Sequence, residues 1–161
     1  MKSLSDLLSV LSKANIEFVV VGGFAGVLHG STLVTRDLDL CTVLTPDNIE
    51  RLRATLQDFH PKHRMTPQKL SFLTVPPPGQ KLNNLYLETD LGVVDFLTAI
   101  MGVGDFEQVR AHAEVVELNG HKVWVMGLDD LIQAKEAMNR EKDRLAAKEL
   151  RAIRSKKITS L

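Results

Sequence analysis

Apolar positions along the chain change period several times, and each change predicts an element. Leu4, Leu7, Leu8 and Leu11 recur at helical spacing behind Ser3, a good N-cap residue, which predicts an amphipathic helix over 3–14. Residues 18–21 are a continuous run of β-formers stopped by Gly22-Gly23, so a short buried strand enters a tight turn there. Phe24, Val27 and Leu28 return to helical spacing, and Gly30 stands where a helix C-terminus favours positive φ. A second strand follows at TRDLDLC, residues 35–41. Its two-residue period sends Leu38 and Leu40 to one face, toward a core, and Asp37 and Asp39 to the other.

Thr45-Pro46 opens a further helix that runs to about residue 59, with Ile49, Leu52, Leu56 and Phe59 on its buried stripe. The stretch 60–81 holds two short strand-like runs and an abrupt turn at PPPG, residues 76–79, and no stronger pattern. Residues 85–88 and 92–97 read as antiparallel strands joined by a turn, and 115–118, Asn119-Gly120 and 122–125 as a hairpin that extends the sheet. A helical turn at 106–111 lies between them. Beyond Gly127 the period becomes helical again: Leu128, Leu131, Ile132 and Met138 form one stripe, and Lys135 falls inside it. The last helix, about 140–154, turns Leu145, Ala146, Leu150 and Ile153 inward, with Lys142 and Asp143 at the edges of that face. The pattern predicts an α/β fold, a small mixed β-sheet with helices packed on it, in a single domain over 1–161. Its core spans about 1–125 and its C-terminal helical part about 128–155.

The length of 161 residues is one domain's worth, and 20 basic residues balance 20 acidic ones, so no global field draws the chain to nucleic acid or membrane. Local patches remain: Arg151, Arg154, Lys156 and Lys157 form a basic tail that suits either nucleic-acid contact or a solvated helix end. A single cysteine, Cys41, excludes an internal disulfide framework, and no apolar run is long enough for a bilayer. A soluble, cytoplasmic protein without a membrane partner is expected. His60 and His63 sit beside Lys62 and Arg64, an arrangement that suits a metal pair or a phosphate-facing loop but lacks further ligands. A solvated loop is the simpler reading.

Candidate chemistry concentrates in residues 17–41. Asp37 and Asp39, about 7 Å apart on one strand face, repel each other, and a divalent cation with a preference for oxygen ligands relieves that repulsion. The glycine pair lets a phosphate approach main-chain N–H groups. The same residues also suit a helix-packing glycine pair and two solvent-facing acids on an edge strand. Asp95, in the middle of Val-Val-Asp-Phe-Leu, is costly to bury unless paired, hydrogen-bonded or bound to a cation. Lys135 either reaches an anion across a cleft or snorkels past its apolar neighbours to water.

The Gly-Gly turn, short helix and acid-apolar-acid strand resemble the signature of the DNA polymerase β-type nucleotidyltransferase superfamily. Asp129-Asp130-Leu131-Ile132, Lys135 and Arg140-Glu141-Lys142-Asp143 are similar to the closing motifs of its small members, including abortive-infection type toxins. The resemblance implies that Asp37, Asp39 and Asp95 are catalytic and hold two magnesium ions, for which manganese substitutes. It implies that Gly22, Gly23, Ser31, Lys135, Arg140, Lys142 and Asp143 bind a nucleoside triphosphate, ATP or GTP. The expected reaction moves a nucleoside monophosphate to an acceptor hydroxyl on a protein, an RNA end or a small molecule, with release of pyrophosphate. A toxin-like role would bring an antitoxin-like protein partner. The sequence departs from the pattern at Ala146, where an acid is usual, and at Glu136, where an apolar residue is common. A catalytically silent nucleotide-binding or partner-docking module is the alternative, and a structural module with incidental acids is a third.

Overall fold

The computed structural model describes residues 3–159. The chain opens with helix α1 (Leu4–Leu11), strand β1 (Phe18–Val21) and helix α2 (Gly22–Leu28), followed by β2 (Asp37–Thr42) and α3 (Pro46–Leu56). A single 3-10 turn, Gln57–Phe59, leads into β3 (Lys62–His63), β4 (Asn84–Thr89) and β5 (Gly92–Leu97). A small pair, β6 (Ala99–Ile100) and β7 (Gly104–Asp105), precedes α4 (Phe106–Ala111). The hairpin β8 (Glu114–Leu118) and β9 (His121–Val125) is followed by α5 (Leu128–Met138) and α6 (Glu141–Thr159).

Seven strands form one mixed sheet in the order β3-β4-β5-β2-β1-β9-β8. β2 runs antiparallel to β1 and parallel to β5, and β9 joins the other side of β1 in parallel. This is the mixed α/β architecture expected from the sequence. β1 is buried along its whole length because it has partners on both edges and helices on both faces, which is why its sequence does not alternate.

Leu38, Leu40, Val94 and Phe96 are fully buried on one sheet face, and α1 covers it. A Cβ added at Gly92, on that same face, would stand 3.5 Å from Leu4 and 3.9 Å from Leu7. The opposite face carries Asp37, Asp39, Asp95 and, one step further along β2, the buried Cys41. Burial, with Asp105 nearby, pushes the Cys41 thiol up to about 12.

Most expected caps hold. Ser3 and Asp6 form a capping box at α1, and Thr45 caps α3 with Pro46 in its first turn. Three side-chain placements differ from expectation. Phe59 is only partly buried because the helix tightens into the 3-10 turn before reaching it. Met138 is 41 % exposed, since α5 ends there at the left-handed Asn139. Leu145 is 58 % exposed; Leu150 is inward as expected, and Asp143 and Ala147 join it as the buried positions of α6. That set keeps the helical period but places a carboxylate where the size of leucine suggested otherwise.

The segment 60–81, patternless in sequence, is ordered by a residue outside it. Arg53 of α3 is buried against Phe72, its guanidinium carbon 5.1 Å from the ring centroid, and its Nε donates to Phe72 O at 2.8 Å. It also donates to Pro76 O and pairs with Glu50. The segment then closes on itself, with His63 N–H donating to Leu70 O at 2.8 Å and Phe72 N–H to Pro61 O at 3.0 Å. Arg53→Leu is expected to cost about 3 kcal/mol in urea unfolding, because it leaves buried carbonyls without a donor. Hydrogen exchange at the His63 and Phe72 amides should accelerate in the same variant, which checks that the loss is centred on 60–81.

Candidate active site

The strand pairing sets the acids side by side. Asp39 pairs with Asp95 across the parallel β2/β5 ladder, and Asp37 lies one alternation further along the same face. Asp39 is partly buried, Asp95 is 8 % exposed and Asp37 is exposed. The Asp39 carboxyl is pushed up to about 6, first by burial and then by the charges of Asp95 and Asp37, while Lys135 and Arg64 pull it back.

Gly22 and Gly23 owe their lack of side chains first to this strand. Gly22 has a φ of +67°, and a Cβ there would stand 2.4 Å from Asp39 Oδ2. A Cβ on Gly23 would stand 2.9 Å from Thr35 Oγ1. The left-handed backbone and the approach of Asp39 on β2 require glycine at 22, whereas at Gly23 the crowding comes from the Thr35 side chain just ahead of β2, in addition to any access the pair gives a phosphate. Val21 offers no side-chain cap to α2.

Beside the acids opens a cleft of about 320 Å³. Gly22, Gly23, Ser31, Asp37, Asp39, Lys135, Arg140, Lys142 and Asp143 all line it, so the structure brings together every residue expected at the nucleotide. Asp95 lies outside that lining and reaches the site through its pairing with Asp39. Arg36 and Thr35 also line the cleft, although the sequence reading assigned them no role.

Four of the expected nucleotide residues, Ser31, Lys135, Arg140 and Asp143, make contacts within the protein itself. Asp143 is buried, and its carboxylate accepts from Arg140 Nε at 2.5 Å, Arg140 N at 3.2 Å and Arg140 Nη2 at 3.2 Å. Lys135 Nζ lies 3.8 Å away. Arg140, through these hydrogen bonds, holds the Asp143 carboxyl below its ordinary range, so Asp143 is an ionised anchor that gathers two cations at the cleft wall. Lys135, 18 % exposed, faces this anion across a gap longer than a hydrogen bond. Ser31 Oγ donates to Glu149 Oε1 at 2.5 Å, and Thr32 donates to Glu149 Oε2 from its N–H at 3.1 Å and its Oγ1 at 2.7 Å. These bonds lower the Glu149 carboxyl, Ser31 contributing most, and clamp the loop after α2 onto α6.

Arg64 occupies Asp95. Its Nε donates to Asp95 Oδ1 at 3.0 Å and its Nη2 to Asp95 Oδ2 at 2.5 Å, a two-pronged pairing that engages both carboxylate oxygens. The three acids share a face but do not stand as a ready-made triad. Among the described residues no group of three His, Cys, Asp or Glu side chains is gathered closely enough to hold a metal ion. The donor set is nonetheless all carboxylate oxygen with an excess of negative charge around Asp39, which fits a hard divalent cation.

The remaining sequence candidates disperse. His60 Nδ1 lies 2.6 Å from Asp90 Oδ2 and His63 Nε2 lies 2.6 Å from Val75 O, so the histidines do not form a pair. Of the basic tail, Arg151 pairs with Glu136 at 2.8 Å and Arg154 with Asp129 at 3.1 Å, contacts that stitch α6 to α5. No helix among the described residues is long and apolar enough to cross a membrane.

No family model and no curated protein sequence matches the chain. Its fold does match solved structures. The lincosamide antibiotic adenylyltransferase LnuA, with lincomycin bound, superposes with a TM-score of 0.61 over 93 % of this chain and 95 % of that one, at 14 % identity. A putative nucleotidyltransferase from Thermotoga maritima gives 0.55 over 92 % and 91 %, at 19 % identity. The antibiotic-resistance factor ANT(2'')-Ia gives 0.52 over 98 % and 90 %, at 14 % identity. The chain therefore has the fold of nucleotidyltransferases.

The Asp39 carboxyl dictates a pH dependence. Its folded value of about 6 exceeds the ordinary value near 4, so between those limits the native state binds more protons than the unfolded chain and stability falls as pH rises. For metal-free protein the loss should be on the order of 2 kcal/mol. It is read as the difference between wild type and Asp39→Asn in urea unfolding from about pH 4 to about pH 7, with Asp39→Asn the more stable at the upper end.

Proposed function

We propose that the chain is a magnesium-dependent nucleotidyltransferase that moves a nucleoside monophosphate from a nucleoside triphosphate to an acceptor hydroxyl. One observation carries this reading: Asp37 and Asp39, with Asp95 beside Asp39 on the same sheet face, stand at a cleft that Lys135, Arg140 and Lys142 also line. Negative charge for cations and positive charge for phosphates are thereby set against each other across one opening.

In this reading Asp37 and Asp39 would hold the divalent cations, with Asp95 as the third ligand. Bound cations would supply Lewis-acid neutralisation of charge on the phosphates. Lys135 and Arg140, pinned by Asp143, receive the triphosphate together with Lys142, and the backbone at Gly22-Gly23 allows its close approach. Asp95 takes the proton of the acceptor hydroxyl. The freed oxygen forms a bond to the α-phosphorus while the bond to the β-phosphate oxygen breaks, and pyrophosphate leaves. The site's contribution is positioning and preorganised charge rather than a covalent enzyme intermediate.

The acceptor is proposed by class alone. Protein hydroxyls, RNA ends and small molecules all present the required group, and the neighbours named for antibiotic modification recommend small molecules as the first to test. The toxin-like role and an antitoxin partner rest on the sequence resemblance. A second reading, a nucleotide-binding module without turnover, draws on the Arg64 guanidinium that already neutralises Asp95.

Incubation with α-labelled triphosphates, magnesium and each acceptor class should transfer label and release pyrophosphate. Asp37→Asn and Asp39→Asn should each abolish transfer without loss of fold, and wild-type turnover in either would sink the assignment. Lys135→Met should weaken triphosphate binding about thirtyfold, equivalent to about 2 kcal/mol, with little change in Tm because Arg140 still satisfies Asp143. Calorimetric titration and thermal melting of one preparation provide both readouts.

A further inference from the structure

Arg64 belongs to a row of side chains that crosses four strands. Its backbone N–H donates to Tyr86 O at 3.1 Å, which places it just past β3 alongside Tyr86. Tyr86 pairs with Asp95, and Asp95 pairs with Asp39. Directly paired residues share a sheet face, so Arg64, Tyr86, Asp95 and Asp39 form one line across β3, β4, β5 and β2. The Arg64 guanidinium carbon lies 5.4 Å from the centroid of the Tyr86 ring while its nitrogens grip both oxygens of Asp95.

This geometry has a cost and a purpose. Asp95 is 8 % exposed and neighbours Asp39, so without a counter-charge its carboxylate would be both desolvated and repelled. Arg64 supplies that charge from within the chain and engages both carboxylate oxygens, so a cation approaching Asp95 meets a like charge already seated there. A guanidinium and a divalent ion are therefore alternative occupants of the same carboxylate.

We propose that Arg64 is a positioning residue for Asp95, an exchangeable internal counter-ion that orients and neutralises the third carboxylate until a divalent cation displaces it. The inference rests on the metal-dependent reading of the acids. Exchange requires a side-chain movement only. The backbone that carries Arg64 is held independently by the β3/β4 pairing, by Arg53 on Phe72 O and by the His63 contact to Val75 O. The Tyr86 ring face remains beneath the released guanidinium as an alternative resting place.

The proposal predicts that removing Arg64 tightens metal binding, the reverse of what loss of a merely structural residue would do. Manganese titration of full-length protein, followed by the electron paramagnetic resonance signal of free Mn²⁺ at about pH 8 without nucleotide, should show about tenfold tighter binding for Arg64→Leu than for wild type. Arg64→Lys, which keeps the charge but loses the fork, should fall between them. Lys62→Leu deletes a positive charge from the neighbouring row of the same face, where Lys62 pairs with Glu88, and should change the affinity less than twofold. Magnesium should also raise the Tm of Arg64→Leu by more than it raises that of wild type. If Arg64→Leu proves unstable, Arg64→Lys and Arg64→Gln carry the same comparison. Equal or weaker Mn²⁺ binding in the Arg64 variants, with wild type binding normally, overturns the exchange and leaves the metal site standing. No binding by wild type or any variant overturns both.

Discussion

Like charge on one sheet face is the constraint around which this molecule is built. Asp37, Asp39 and Asp95 repel one another, and every neighbouring feature limits that repulsion without abolishing it. Arg64 closes one end of the row, Lys135 acts on Asp39 from the other, and the buried Asp143 fixes Lys135 in place. A simple protein core would have no reason to assemble such a set, since replacing it with apolar side chains removes the desolvation cost. Locally costly charge kept inside an otherwise well-packed α/β frame is the feature on which the proposed function draws.

Much of the frame was legible because it follows from short-range periodicity. The alternation at Asp37-Leu38-Asp39-Leu40 sorts acids from core residues before any pairing is known, and Ser3 and Thr45 announce the helices they cap. The cleft residues could be named because the motifs at both ends of the chain resemble a known pattern. What could not be read depends on register between distant strands or on one long-range side chain. Arg64 has no visible partner until β3, β4 and β5 are paired, which sets it in line with Asp95. The stretch 60–81 lacks periodicity because Arg53, from α3, supplies its organising contacts.

Size misled the reading of the last helix. Leucine at 145 looked like the inward residue and Asp143 like a rim residue, and the structure inverts them. A carboxylate tolerates that depth because Arg140 wraps it and Lys135 approaches from α5. The glycine pair was understood for a partial reason. Access for a phosphate is one use of Gly22, but the carboxylate of Asp39 stands closer to its α-carbon than any side chain permits.

The clamp between Ser31, Thr32 and Glu149 joins positions more than a hundred residues apart in sequence. During synthesis the acidic strand and its glycine turn leave the ribosome ahead of α5 and α6, whose residues line the same cleft. A nascent chain can therefore pair β1 with β2 before that cleft exists, because contacts of such sequence separation form slowly. Completion of the cleft is therefore a later event than pairing of the sheet, reached only when α6 docks.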